Sequence, residues 1–86
     1  MIQKIKAPIS VNSLYDHKKR LFRPLALLWE GKTHKISTLG YHHAFRSGKT
    51  LFHVFSVASD SLFFKLSFNT EFLSWELEEV SDEEAD

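Results

Sequence analysis

Cysteine is absent from this 86-residue chain, and glycine, proline and methionine are scarce, with three, two and one. Without cysteine there is neither a disulfide staple nor a thiolate metal site, which suits a reducing compartment. Gly31, Gly40 and Gly48 stand well apart, so no glycine-rich loop cradles a phosphate. Alanine is infrequent and apolar residues do not recur every three or four positions, so helix signals are poor. The opening "MIQKIKAPISVNS" alternates charged and apolar residues and lacks the continuous apolar core of a signal peptide. Nothing approaches the length of a membrane span. A cytoplasmic protein is expected. Before residue 60 the only carboxylates are Asp16 and Glu30. No aspartate can be assigned to orient a histidine, and no serine sits in a glycine-bracketed elbow. The adjacent Asp16 and His17 are only a weak signal. Neither an enzyme nor a cofactor is expected.

Charge is plentiful but unevenly placed. Residues 1–50 hold ten Lys/Arg and two Asp/Glu, whereas residues 51–86 hold one Lys and nine Asp/Glu. The net charge of zero therefore hides a basic half and an acidic half. Much of the acid lies in "EEVSDEEAD", residues 78–86, which has little to bury. The expectation is one β domain over 1–77, followed by a disordered acidic tail over 78–86.

Apolar residues alternate, which is the strand pattern, because successive side chains point to opposite faces. Ile5, Ala7, Ile9 and Val11 form a first set, with Pro8 marking an edge or bent strand. "NSLYDHKKRLF", residues 12–22, reads as a polar loop, with room for a helical turn near 13–19. Strands follow at "RPLALLWEG", with a turn at Gly31-Lys32, and from Thr33 through "YHHAF", with a bulge or bend at Gly40. "TLFHVFSV" is apolar on both faces. "LFFKLSF" places Leu62, Phe64, Leu66 and Phe68 on one face, and "LSWELEEV" turns Leu73, Trp75 and Leu77 inward. Six short strands with tight turns read as an antiparallel meander. Eight Phe and two Trp need more cover than one open sheet provides. An all-β fold is expected, a small antiparallel β-barrel or roll of five to six strands. Trp29 and Trp75, sharing faces with inward leucines, belong in its core.

Arg23-Pro24, Trp29-Glu30-Gly31-Lys32, Phe55-Ser56-Val57 and Trp75-Glu76-Leu77 together resemble a family of short bacterial β-rich proteins, a domain of unknown function. The likeness runs from about Ile9 to Asp82. Related domains are fused to polymerase-like proteins of DNA damage tolerance, so the resemblance implies a nucleic-acid context. "GYHHAFRSG" replaces a tryptophan-bearing segment of that family, and no catalytic residue carries over.

His42, His43 and His53 surround the turn at "RSGK". With Ser47-Gly48 as a two-residue turn, His42 lies opposite His53, with Cβ atoms about 4.5–5.5 Å apart. With a three-residue loop over Arg46-Ser47-Gly48, His53 faces Tyr41 instead. Zinc normally takes three or more protein ligands, and only His34 is at hand as a third, so no metal is expected. Ordinary hairpin histidines, or contacts to a ligand together with Arg46 and Lys49, remain as the alternatives. "DHKKRLFR" adds Lys18, Lys19, Arg20 and Arg23, beside Tyr15 and Phe22, to hold phosphates while rings stack on bases. The other reading is a solvated loop, or one neutralised by the protein's own acidic tail. The expected function is a binding module, monomeric or weakly dimeric. Its nucleic-acid site would comprise Lys18, Lys19, Arg20, Arg23, His42, His43, Arg46, Lys49 and His53. The alternative is a protein-interaction module that docks through a sheet edge or the acidic tail.

Overall fold

The computed structural model describes residues 1–82. Eight strands follow one another: β1 (Ile2–Pro8), β2 (Ser10–Asp16), β3 (Leu21–Trp29), β4 (Lys32–Lys35), β5 (Thr38–Ser47), β6 (Thr50–Ser59), β7 (Leu62–Asn69) and β8 (Ser74–Ser81). They form a five-stranded antiparallel sheet in the order β1-β8-β7-β6-β5 and a three-stranded one in the order β2-β3-β4. The all-β meander is as expected. Its ladders are those of two sheets and do not close into one barrel. Two near-continuous pairs of strands serve both sheets. After Pro8, Ile9 donates its N–H to the Trp75 carbonyl and the chain passes from β1 into β2. After Lys35, Ile36 donates to Leu25 and Ser37 to Ala58, and the chain passes from β4 into β5. No helix occurs among the described residues, and none is long and apolar enough to cross a membrane.

The tight turns follow local chemistry. Glu30 and Gly31 both take positive φ between paired Trp29 and Lys32, the type I′ pattern that matches strand twist. The turn is thus one residue earlier than Gly31-Lys32. Gly48 takes a φ of 62° between paired Ser47 and Thr50, as the first central residue of a type II′ turn requires. The hairpin therefore turns at Gly48-Lys49, and neither anticipated register is the observed one. The bulge expected at Gly40 is present, as a register shift between Leu39 and Tyr41.

Three expectations are corrected. Residues 12–16, read as loop or helical turn, belong to strand β2, because pairing with β3 satisfies their backbone despite their polar character. Leu73 does not face inward; it is exposed in the β7–β8 turn with a φ of 56°. Residues 78–81, assigned to the disordered tail, are the second half of β8, paired with β1 and β7. The expected tail at 83–86 lies outside the described residues.

The core lies between the sheets. Phe55 and Val57 of β6, Phe64 and Leu66 of β7, and Trp75 and Leu77 of β8 pack on Leu27 of β3. Each such large apolar side chain contributes about 1.5–3 kcal/mol when fully buried. Trp29 packs at the margin of this cluster, so both tryptophans do serve the core.

Candidate nucleic-acid interface

Because β1 runs on into β2 and β4 into β5, the chain reverses only five times, and alternate reversals share an end: the β2–β3, β5–β6 and β7–β8 turns. The Thr70 N–H and Oγ1 both donate to the Leu51 carbonyl, at 3.1 and 2.7 Å. The Thr50 hydroxyl donates to Glu71 Oε1 at 2.7 Å. The Phe22 ring, just past the first turn, meets Phe68, Trp75 and Phe55 at centroid distances of 5.1, 5.8 and 6.1 Å. Two of these turns use the same device. Asp16 Oδ1 accepts the Lys18 and Lys19 N–H groups, and the loop closes on Arg20 at positive φ. Asn69 Oδ1 accepts the Glu71 and Phe72 N–H groups, and the loop closes on Leu73 at positive φ. Short Asx side chains favour such turns because they replace a backbone acceptor.

The result is an end rich in cations. Lys18, Lys19, Arg20, Arg46 and Lys49 are all exposed there. The nearby carboxylates of Asp16 and Glu71 are engaged by the turn and by Thr50. Tyr15 and Phe72 show 60% and 72% of their surface to solvent. Phe22, by contrast, is committed to the core edge and offers no ring to a base. Arg23 lies farther along β3, exposed and on the face opposite Phe22. Glu30, Asp60 and Asp82 mark the other end, where Asp82 pairs with the N-terminal ammonium. The ammonium beside it holds the Asp82 carboxyl below the ordinary range, through a hydrogen bond and its charge. Strand β7 separates the two ends by about 23 Å at 3.3 Å per residue. Glu78 and Glu79 are fixed in β8 and do not reach the basic turns; the rest of the acidic tail considered from the sequence, 83–86, lies outside the described residues.

The three histidines divide between two faces. In the observed register His42 pairs with Phe55 and Ala44 with His53, so His42 and His53 are diagonal neighbours on the core-side face. Their Nε2 and Nδ1 atoms share a hydrogen bond at 2.8 Å. His42 stacks on Phe55 at 4.4 Å with planes only 3° apart. Burial lowers the pKa of His42, and His53 and then His43 lower it further. His43 lies on the outer face, between Tyr41 at 5.3 Å and Phe45 at 6.4 Å, and its Nδ1 is shut from solvent without a partner. His34 packs on Phe64 at 5.2 Å instead of joining the others. Among the described residues no three His, Asp or Glu side chains converge to hold a metal ion.

The outer face of the five-stranded sheet carries residues that were not singled out from the sequence. Tyr41 and Phe45 flank His43 on β5, and Phe52 of β6 stacks on Phe45 at 5.2 Å and 11°. Alternation in "YHHAF" already places the three β5 rings on one side. Val54 is buried on this face although it is outside the core cluster. A groove of about 550 Å³ runs past His43, Phe45, Phe52 and Val54 toward Ser67 and Glu76. The Ser67 hydroxyl donates to Glu78 at 2.7 Å, and Lys65 lies 4.0 Å from Glu79. No protein-family model matches the chain, and no curated protein or solved structure is significantly similar to it. The family resemblance therefore rests on its short motifs alone.

Proposed function

We propose that this protein is a non-enzymatic binding module that takes hold of nucleic acid through its basic turn end. The observation that supports this is the placing of Lys18, Lys19, Arg20, Arg46 and Lys49, all exposed, at turns on one end of the meander, where Tyr15 and Phe72 are exposed too. Cations on short, capped turns attract phosphates and release counterions, which gives affinity with little sequence preference. Arg23 would extend the cationic surface along β3. His42 and His53 stand near the same end. We read the two sheets as one half-open roll, linked by β1–β2 and β4–β5, that holds the turns in register. A cytoplasmic, monomeric or weakly dimeric state fits this reading.

The test is fluorescence anisotropy with labelled oligonucleotides, comparing the native protein with Lys18→Glu/Lys19→Glu. Five phosphate contacts to a single strand give a salt slope of about 3.5, so affinity should fall about 130-fold from 50 to 200 mM salt. The double variant should bind at least tenfold more weakly. Salt-insensitive binding, or a variant that binds as well as the native protein, refutes the proposal. A second reading is favoured by β5, the ten-residue edge strand of the larger sheet, whose exposed rings suit docking of a protein strand. It predicts a specific pulldown partner retained at high salt.

A further inference from the structure

The outer face of the larger sheet has features that a purely electrostatic grip does not use. We propose that it is a stacking platform for the bases of a single-stranded nucleic acid, which runs along β5 and β6 away from the basic turns. This rests on the nucleic-acid reading above and narrows its substrate to unpaired strands. Tyr41, His43 and Phe45 stand at alternate positions of β5, about 6.6 Å apart along the strand. Their rings form a row, continued by Phe52. Tyr41 is 61% exposed and Phe45 46%, although apolar rings gathered on one surface are costly to leave in water. Every base has a π face, so such a row takes successive bases without regard to sequence.

The surroundings of the row favour a polynucleotide in one orientation. Lys49 lies in the turn, exposed at the end of the row. It is placed to take the phosphates that leave the rings for the basic end, while Arg46, opposite Leu51, projects from the other face. Ser47 and Asn69 line the adjoining groove and offer hydrogen bonds to base edges. The carboxylates of Glu76 and Glu78 rise from β8, and Glu78 reaches over to the Ser67 hydroxyl on β7. They repel a backbone that crosses the sheet and favour one that keeps to β5, the far edge. His43 borders two grooves of this face, at the centre of the row. A duplex keeps its bases stacked and paired and cannot lay them on these rings.

The experiment measures anisotropy of a labelled twelve-nucleotide oligothymidylate and of a duplex of equal length. The proteins are the native chain, Tyr41→Ala/Phe45→Ala and Lys18→Glu/Lys19→Glu. The native protein should prefer the single strand at least tenfold. Tyr41→Ala/Phe45→Ala should lose at least tenfold for the single strand and keep its duplex affinity, whereas Lys18→Glu/Lys19→Glu should weaken both. Photocrosslinking of the native protein to an iodouracil oligonucleotide supplies a readout that does not depend on folding of a variant. Crosslinks should map to Tyr41, His43 or Phe45. If the ring variant binds single strands normally, or crosslinks fall only on the turns, the platform is overturned while the basic grip stands. If the native protein binds neither probe, both readings fall and the face belongs to a protein partner.

Discussion

Replacing Leu66 by alanine tests the packing on which every site in this molecule depends. Leu66 pairs with Phe55 on one side and Leu77 on the other, and all three are 0% exposed. They form the middle row of the core-side face, held at fixed spacing by three adjacent strands. A cavity at Leu66 cannot collapse without breaking a ladder. The loss therefore belongs no lower than the middle of the Leu→Ala range, about 3–4 kcal/mol. At roughly 4–8 °C per kcal/mol for a domain of this size, the melting midpoint should fall by about 12–32 °C. The total stability expected for this length is about 4–13 kcal/mol, so urea titrations are best run in the cold. Fluorescence of Trp29 and Trp75 reports the transition. Leu73→Ala, which removes an exposed side chain from a turn, is the control and should change stability by no more than about 0.5 kcal/mol. A loss at Leu66 below about 1.5 kcal/mol, or no larger than at Leu73, would refute the described core.

Removing the acceptor in Asn69→Ala should cost about 1 kcal/mol, because two exposed N–H groups exchange a side-chain oxygen for water. Asp16→Ala should match it within about 0.5 kcal/mol if the two loops share one mechanism; unequal urea midpoints at equal slope would contradict that. His42 carries a pKa held below 6.5 by burial and by its histidine neighbours. The unfolded chain then binds more protons than the folded one between that lowered value and 6.5. Stability should be full above pH 6.5 and decline as pH falls through this window. Melting scans from pH 7.5 to 5 should show the decline, and His42→Phe should reduce it; an unchanged slope in the variant would assign the effect elsewhere.

Alternation made the core strands readable. Leu62, Phe64, Leu66 and Phe68 fall on one face in sequence and in space, since nothing interrupts β7. Strand β2 was not readable, because a bulge between Asn12 and Ser13 breaks its alternation and leaves Leu14 and Tyr15 exposed, and its strand character comes from pairing with β3. The hairpin register turned on whether Gly48 opens the turn or sits later in it, and composition around "RSGK" allows either. One residue decided whether His42 met His53 directly or diagonally. The basic cluster was legible as composition, but its gathering with Lys49 depends on turns brought together by the meander. Tyr41 and Phe45 were passed over because the histidines between them drew the chemical argument, although the same alternation places all three rings in a row.

The first strand completes the sheet by pairing with the last. Ile2 lies opposite Ser81, and Met1 meets Asp82 across 81 residues of sequence. During synthesis, β2 through β7 can form hairpins as they emerge, but β1 must wait until β8 has left the ribosome. Until then one edge of β7 and the apolar side of β1 stay unpaired, which makes the unfinished chain the form most prone to aggregate. Contacts this distant in sequence slow folding, because the ends must meet before the sheet is complete. A nascent chain halted at residue 73 would therefore lack the finished five-stranded sheet, whatever the stability of its hairpins.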